Sequence, residues 1–144
     1  MNKVCFDTST LVAALLQRHP HHATAFPRLQ SVVNGAVEGY LTTHGLAELF
    51  ATLTALPLKP RLSPREVEGI IEQSILSHFT LIPLGREEYQ NALRLTVAQN
   101  LFSGAVCDAL HLVGARAAGC TTLYTLNLRH FRALAPGDPL VSPP

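Results

Sequence analysis

Short apolar runs alternate along this chain with longer stretches whose apolar positions recur every three or four residues. The first pattern reads as buried strand and the second as amphipathic helix. Strands are predicted over 4–6, 39–42, 79–83 and 122–125, with a short last one at 140–141. After the first strand, Thr8 or Ser9 can cap a helix that turns Leu11 and Leu15 inward. A break at 19–22 precedes a helix over 22–33, which ends near Asn34 and Gly35. Leu46, Leu49, Phe50, Leu53 and Leu56 mark a helix that stops before Pro57. Ser63, Pro64 and Glu66 supply an N-cap, a first-turn proline and a capping box for a helix burying Val67, Ile70, Ile71 and Ile75. A helix over 86–100 is expected to face Tyr89, Ala92, Leu93, Thr96 and Val97 inward. Ser103 and Gly104 open another over 105–118, which Gly119 ends. Residues 127–134 read as a loop or short helical turn, and 142–144 as a frayed tail.

Strands alternating with helices imply βαβ units and a mostly parallel sheet covered on both faces. The 144 residues suit one domain spanning 1–144. Charged residues are only 15% of the chain, against about a quarter usually, and hydrophobic ones are 47%, so the chain can pack a core and is not a disordered type. No stretch of eighteen residues lacks a charge, which excludes a membrane-spanning helix. Asp7 interrupts the N-terminal apolar run and argues against a signal peptide, so the expected compartment is the cytoplasm. Cys5, Cys107 and Cys120 are widely spaced with no CxxC, so neither a disulfide framework nor a zinc site is expected. A net charge of +1 excludes the strongly basic nucleic-acid binders but leaves a local basic patch open.

Candidate chemistry comes from the acids. The chain has only three Asp, and two of them, Asp7 and Asp108, lie in apolar surroundings where a carboxylate must be paired, hydrogen-bonded or bound to a metal. Ligand crevices of parallel sheets lie beyond the carboxyl ends of the strands. Asp7 directly follows the first strand, Glu48 falls early in the helix after the second, Asp108 early in the helix before the fourth, and Asn127 just past the fourth. If the first, second and fourth strands are neighbours, three carboxylates converge. Packed carboxylates repel unless a cation intervenes, and an all-oxygen set favours Mg²⁺ or Mn²⁺ over Zn²⁺. Such an ion can activate a water and offset charge on a phosphate, which suits phosphodiester hydrolysis.

Four segments carry a family resemblance: Phe6, Asp7, Thr8 and Ser9; Thr42 through Glu48; Ser103 through Leu110; and Leu123 through Phe131. In this ordered set the chain resembles PIN-domain nucleases, most closely the VapC-type toxins of bacterial toxin–antitoxin pairs. The resemblance implies a three-layer α/β/α sandwich with a four- to five-stranded sheet. It also implies an RNA-cleaving enzyme that uses Mg²⁺ or Mn²⁺, is often a homodimer, and is silenced by a cognate antitoxin. Carried over by position, Asp7, Glu48 and Asp108 would be the catalytic metal-holding acids, with Ser9 and Thr125 supporting or facing the phosphate. The family's usual fourth acid is replaced by Asn127, which can ligate but adds no negative charge and so weakens the case for a second ion.

Each residue also has an ordinary explanation. Asp7 could cap the following helix; Glu48 could be an exposed helix residue; Asp108 could cap its helix or pair with His111. Asn127 suits a turn. His44 and His111 fit hydrogen-bonded structural histidines better than phosphate binders, and His21 and His22 fit an exposed turn, while Phe131 suits closure onto the core. Arg61 and Arg65 read as solvated, whereas Arg129 and Arg132 lie near the expected crevice and lean to substrate contact. A residual apolar face on the first two helices is a candidate dimer or antitoxin surface. A small-molecule phosphohydrolase with Asp7 as nucleophile is an alternative, although Ser9 stands where the haloacid-dehalogenase type needs a second Asp. A PIN-like interaction module without activity is another.

Overall fold

The computed structural model describes residues 1–144. Its sheet comprises β1 (Lys3–Phe6), β2 (Glu38–Thr42), β3 (Phe79–Ile82), β4 (Thr122–Tyr124) and β5 (Val141–Ser142), in the order β3-β2-β1-β4-β5. Every neighbouring pair is parallel. β1 is central and flanked by β2 and β4, the adjacency that convergence of the acids requires. A central parallel strand is buried on both faces, which is why Val4, Cys5 and Phe6 form an unbroken apolar run. Alternation sends Val4 and Phe6 to one side and Cys5 to the other. The Phe6 ring meets Phe79 and Tyr124 edge-on, with centroids 5.2 and 5.4 Å away.

Two apolar layers therefore flank the sheet. One is built with α1 (Thr8–Leu15), α2 (His22–Val33), α3 (Thr43–Ala55) and α4 (Pro64–Ile71). The other is built with α5 (Arg86–Ala98), α6 (Ala105–Ala117) and α7 (Leu128–Leu134). This is the three-layer α/β/α sandwich. The Ser63/Glu66 capping box starts α4 as expected. The helix then continues through one wide turn, Glu72–Leu76, closed by the Ser77 N–H donating five residues back to Glu72. The wide turn suits the four-residue spacing of Val67, Ile71 and Ile75, all buried, and leaves Ile70 only half-buried. No helix is long and apolar enough to cross a membrane.

Three expectations need correction. On α5 only Ala92 and Thr96 are buried, while Tyr89, Leu93 and Val97 are exposed. Small residues let α5 lie close against α6, so the row of large side chains one step round the helix faces outward. On α3, Phe50 likewise looks out. The tail is not frayed at Ser142, which pairs with Tyr124 and whose carbonyl accepts from the Thr125 N–H at 3.0 Å.

Candidate active site

The chain runs from β1 outward through β2 to β3, then crosses to β4 on the other side of β1. A crevice opens at such a reversal. Here it is a cleft of 490 Å³, with only Val12 and Leu126 apolar among its 12 lining residues. Asp7, Glu48, Asp108, Ser9 and Asn127 all line it.

Asp7 is the N-cap of α1, a role expected of Thr8 or Ser9. Its Oδ1 accepts the Thr10 N–H at 2.9 Å, Ser9 Oγ donates to both oxygens at 2.7 and 2.9 Å, and Thr125 Oγ1 donates to Oδ2 at 2.6 Å. Asp7 is only 3% exposed and Thr125 is fully buried. The capping role and the cleft position thus belong to one carboxylate. Ser9 Oγ accepts from the Leu126 N–H and Thr125 Oγ1 from the Asn127 N–H, so both hydroxyls tie Asp7 to the loop after β4. Asn127 is exposed, and its side chain makes no cap to α7.

Glu48 is clamped from two elements. Its Oε1 accepts from Thr8 Oγ1 at 2.9 Å and lies 2.6 Å from His111 Nε2. A carboxylate only accepts, so Nε2 donates. Burial alone would raise the Glu48 carboxyl; the His111 hydrogen bond and charge, with Thr8 and His44, outweigh it and hold it below its ordinary value. His111 reaches across to Glu48 and does not pair with Asp108. Its ring is 2% exposed, with Nδ1 3.4 Å from Thr42 Oγ1. Gly45 makes room for it, since a Cβ there would lie 2.9 Å from His111 Cε1 and 2.6 Å from Leu41 Cδ1.

Asp108 accepts no comparable bond; its nearest partner is His130, whose Nδ1 is 3.7 Å from Oδ2. Burial pushes the carboxyl up to about 6, opposed by His111 and His130 and reinforced by the charges of Asp7 and Glu48. Neighbouring Cys107 is likewise raised, by burial and then by Glu48 and Asp108. Its Sγ and the nearest ligand atoms of His44 and Glu48 all lie within 4.8 Å of one another. Cysteine spacing alone announces no such cluster, because its members come from two different helices.

A second cleft, of 780 Å³, shares Asp108 and is lined by Arg129, His130 and the exposed ring of Phe102. Arg132 lines neither cleft. His21 sits in an exposed turn as expected, and together with His19 it also lines the first cleft. Burial, then His21 and His22, lower the His19 imidazole. No sequence signal beyond the break at 19–22 marks these two. Phe131 is fully buried, as a closing residue should be. Phe26 and Val33 are exposed on α2, so the apolar face expected on the first two helices is modest beside the row on α5.

Fold and cleft define a doubly wound α/β domain with its carboxylates gathered beyond the ends of the central strands. The chain belongs to the PIN domain family, whose profile matches residues 4–135. Ribonuclease VapC40 of Mycobacterium tuberculosis (strain CDC 1551 / Oshkosh) is 30% identical over 123 residues, 85% of each chain. In solved structures the same fold is seen in VapC20 of Mycobacterium tuberculosis, a Sarcin-Ricin loop cleaving toxin, with a TM-score of 0.71, 18% identity and coverage of 97% of this chain and 99% of that one. It is also seen in VapBC2 of Rickettsia felis, solved bound to a promoter DNA fragment, with a TM-score of 0.62, 20% identity and coverage of 90% and 91%.

Proposed function

We propose that this protein is a divalent-metal-dependent endoribonuclease and the toxin of a toxin–antitoxin pair, with Asp7, Glu48 and Asp108 as its catalytic acids. The observation that carries this is their presence, from three distant segments, in the lining of one polar cleft at the strand ends. Membership of the PIN family and similarity to a ribonuclease point the same way.

The donor set fits a hard cation. A carboxylate has about four lone-pair positions. Asp7 has three donors, Ser9 shared between its two oxygens, Thr10 on Oδ1 and Thr125 on Oδ2, which hold the carboxylate rigid in the lining of the cleft. Asp108 has no hydrogen-bond donor and stands among like charges, the condition that a cation relieves. Mg²⁺ or Mn²⁺, held by Asp7 and Asp108 with Glu48 beside them, would supply Lewis acidity for activating water and neutralising phosphate charge. Glu48, oriented by Thr8 and His111, positions the attacking water and takes its proton. Asn127 would offer an amide oxygen without charge, which favours one ion over two. The second cleft leads away from Asp108, and there Arg129 and His130 receive the RNA backbone. Asp7, held by three donors in a 3% exposed position, is restrained from the movement that nucleophilic attack in a phosphohydrolase would ask of it.

An antitoxin partner follows from the same assignment, as does a homodimer. The exposed row Tyr89, Leu93 and Val97 offers a second copy an apolar surface. Val97→Glu is then expected to shift the protein to monomer in sedimentation.

The deciding test is cleavage of RNA with Mg²⁺ or Mn²⁺ by the parent and by Asp7→Asn. Asn is an equally good N-cap, so the fold should persist by circular dichroism. Cleavage should be abolished; a variant that cuts at the parent's rate would overturn the assignment.

A further inference from the structure

We propose that His44, Glu48 and Cys107 form a second metal site, suited to Zn²⁺ and similar borderline-soft ions, which shares Glu48 with the acidic cleft. Its effect on cleavage rests on the function proposed above; its existence does not.

His44 and Glu48 stand one turn apart on α3, the spacing that puts two ligands on one helix face. Cys107 comes from α6, packed against that face. The three candidate ligand atoms lie within 4.8 Å of one another. A tetrahedral ion with bonds of about 2.0–2.3 Å sets its ligands roughly 3.3–3.8 Å apart, so small side-chain rotations close the site.

An independent observation singles out His44. Its Nε2 is a buried nitrogen with no hydrogen-bond partner, held 3.5 Å from Glu48 Oε2. The long contact to Glu48 leaves its hydrogen-bonding capacity unmet, and in the tautomer protonated at Nδ1 the Nε2 lone pair is free for a cation that Glu48 Oε2 can share. Glu48 complements it. Thr8 and His111 both engage Oε1, leaving Oε2 turned toward His44. His111 thereby acts as the outer partner that fixes a ligating carboxylate.

The donors also separate this site from its neighbour. Imidazole and thiolate select Zn²⁺, Co²⁺ or Ni²⁺, whereas Asp7 and Asp108 offer only hard oxygen. Binding breaks the Cys107 S–H bond, forms a metal–sulfur bond and releases the proton to solvent, with no change of oxidation state. Three protein ligands leave a fourth position open. Glu48 cannot serve this ion and orient water at once, so zinc inhibits cleavage that Mg²⁺ or Mn²⁺ supports.

The test uses the metal-free full chain titrated with Co²⁺. A thiolate-to-cobalt charge-transfer band should grow in the near ultraviolet, saturate at one equivalent and bleach on adding Zn²⁺. Cys107→Ser should abolish the band, and His44→Gln should weaken cobalt binding about 10–100-fold. No band, or an undiminished band in Cys107→Ser, would sink the proposal by showing no thiolate ligation or ligation by Cys5 or Cys120. Asp7→Asn keeps the two ideas apart. It should retain the band while losing cleavage; a variant that keeps both leaves this site standing and removes Asp7 from the catalytic acids.

Discussion

His111 Nε2 lies 2.6 Å from Glu48 Oε1, joining a buried ring on α6 to a half-exposed carboxylate on α3. The contact does two things. It holds the Glu48 carboxyl below its ordinary value, and it engages Oε1 so that Oε2 is left toward His44. Replacing His111 with Ala should lower cleavage and apparent Mn²⁺ affinity by about 10–100-fold, the usual effect of removing a group that orients a metal-site carboxylate. Glu48 should also titrate at higher pH than in the parent, measurable by carbon-detected NMR. A purely packing role for His111 would reduce stability without moving that titration.

Asp108 predicts an unusual pH dependence in metal-free protein. Its carboxyl is raised from 3.8 to about 6 in the fold, so between those values the folded state holds a proton that the unfolded state has lost. Stability from this group therefore falls as pH rises through that window and stays lower above it. Glu48, held low, has the opposite sign: its contribution is present at neutral pH and is lost on acidification. Asp108→Asn isolates the first effect. The variant should melt above the parent at pH 7 without metal, and the gap should close near pH 4. Mn²⁺ should stabilise the parent more than the variant. A melting difference independent of pH would show that Asp108 carries no such penalty.

What could be read from the chain follows from where the information sits. Asp7 and Asn127 are legible because each closely follows a strand, and Glu48 and Asp108 because each falls early in a helix that starts at the same end of the sheet; the parallel-sheet rule converts those positions into a meeting point. The Thr8–Glu48 and His111–Glu48 contacts were not, because they depend on how α1, α3 and α6 pack, over separations of 40 and 63 residues. Cys107 shows the same limit: its spacing to other cysteines says nothing about a histidine on another helix. On α5 the periodicity marked two adjacent rows and could not tell that Ala92 and Thr96, being small, would be the ones to face α6. Ser142 read as tail because two residues carry no pattern; only pairing with β4 makes them strand.

Thr125 offers a sharper test of how Asp7 is held. Its hydroxyl donates to Asp7 Oδ2 at 2.6 Å in a fully buried position, and its backbone is anchored by Ser142. Thr125→Val keeps the shape and removes the donor. A hydrogen bond to a charged group contributes about 1.5–3 kcal/mol, so chemical denaturation should show a loss of that order. Cleavage should drop as well, because Asp7 is freed to turn. Thr125→Ser should restore both. Restoration of stability without activity would assign the methyl group, and not the hydroxyl, to the site.

Arg129 and Arg132 are three residues apart on α7, yet only Arg129 lines the cleft that runs on from Asp108. A phosphate contact would make the two substitutions unequal. Arg129→Ala should weaken binding of a non-cleaved RNA, measured on Asp7→Asn protein, and reduce the steepness of its salt dependence by about one counterion. Arg132→Ala should leave both unchanged, since Arg132 is exposed and lines neither cleft. Fluorescence anisotropy across a salt series reads both quantities at once. Equal losses from the two arginines would mean that the RNA crosses the outer face of α7, and the path along the second cleft would have to be abandoned.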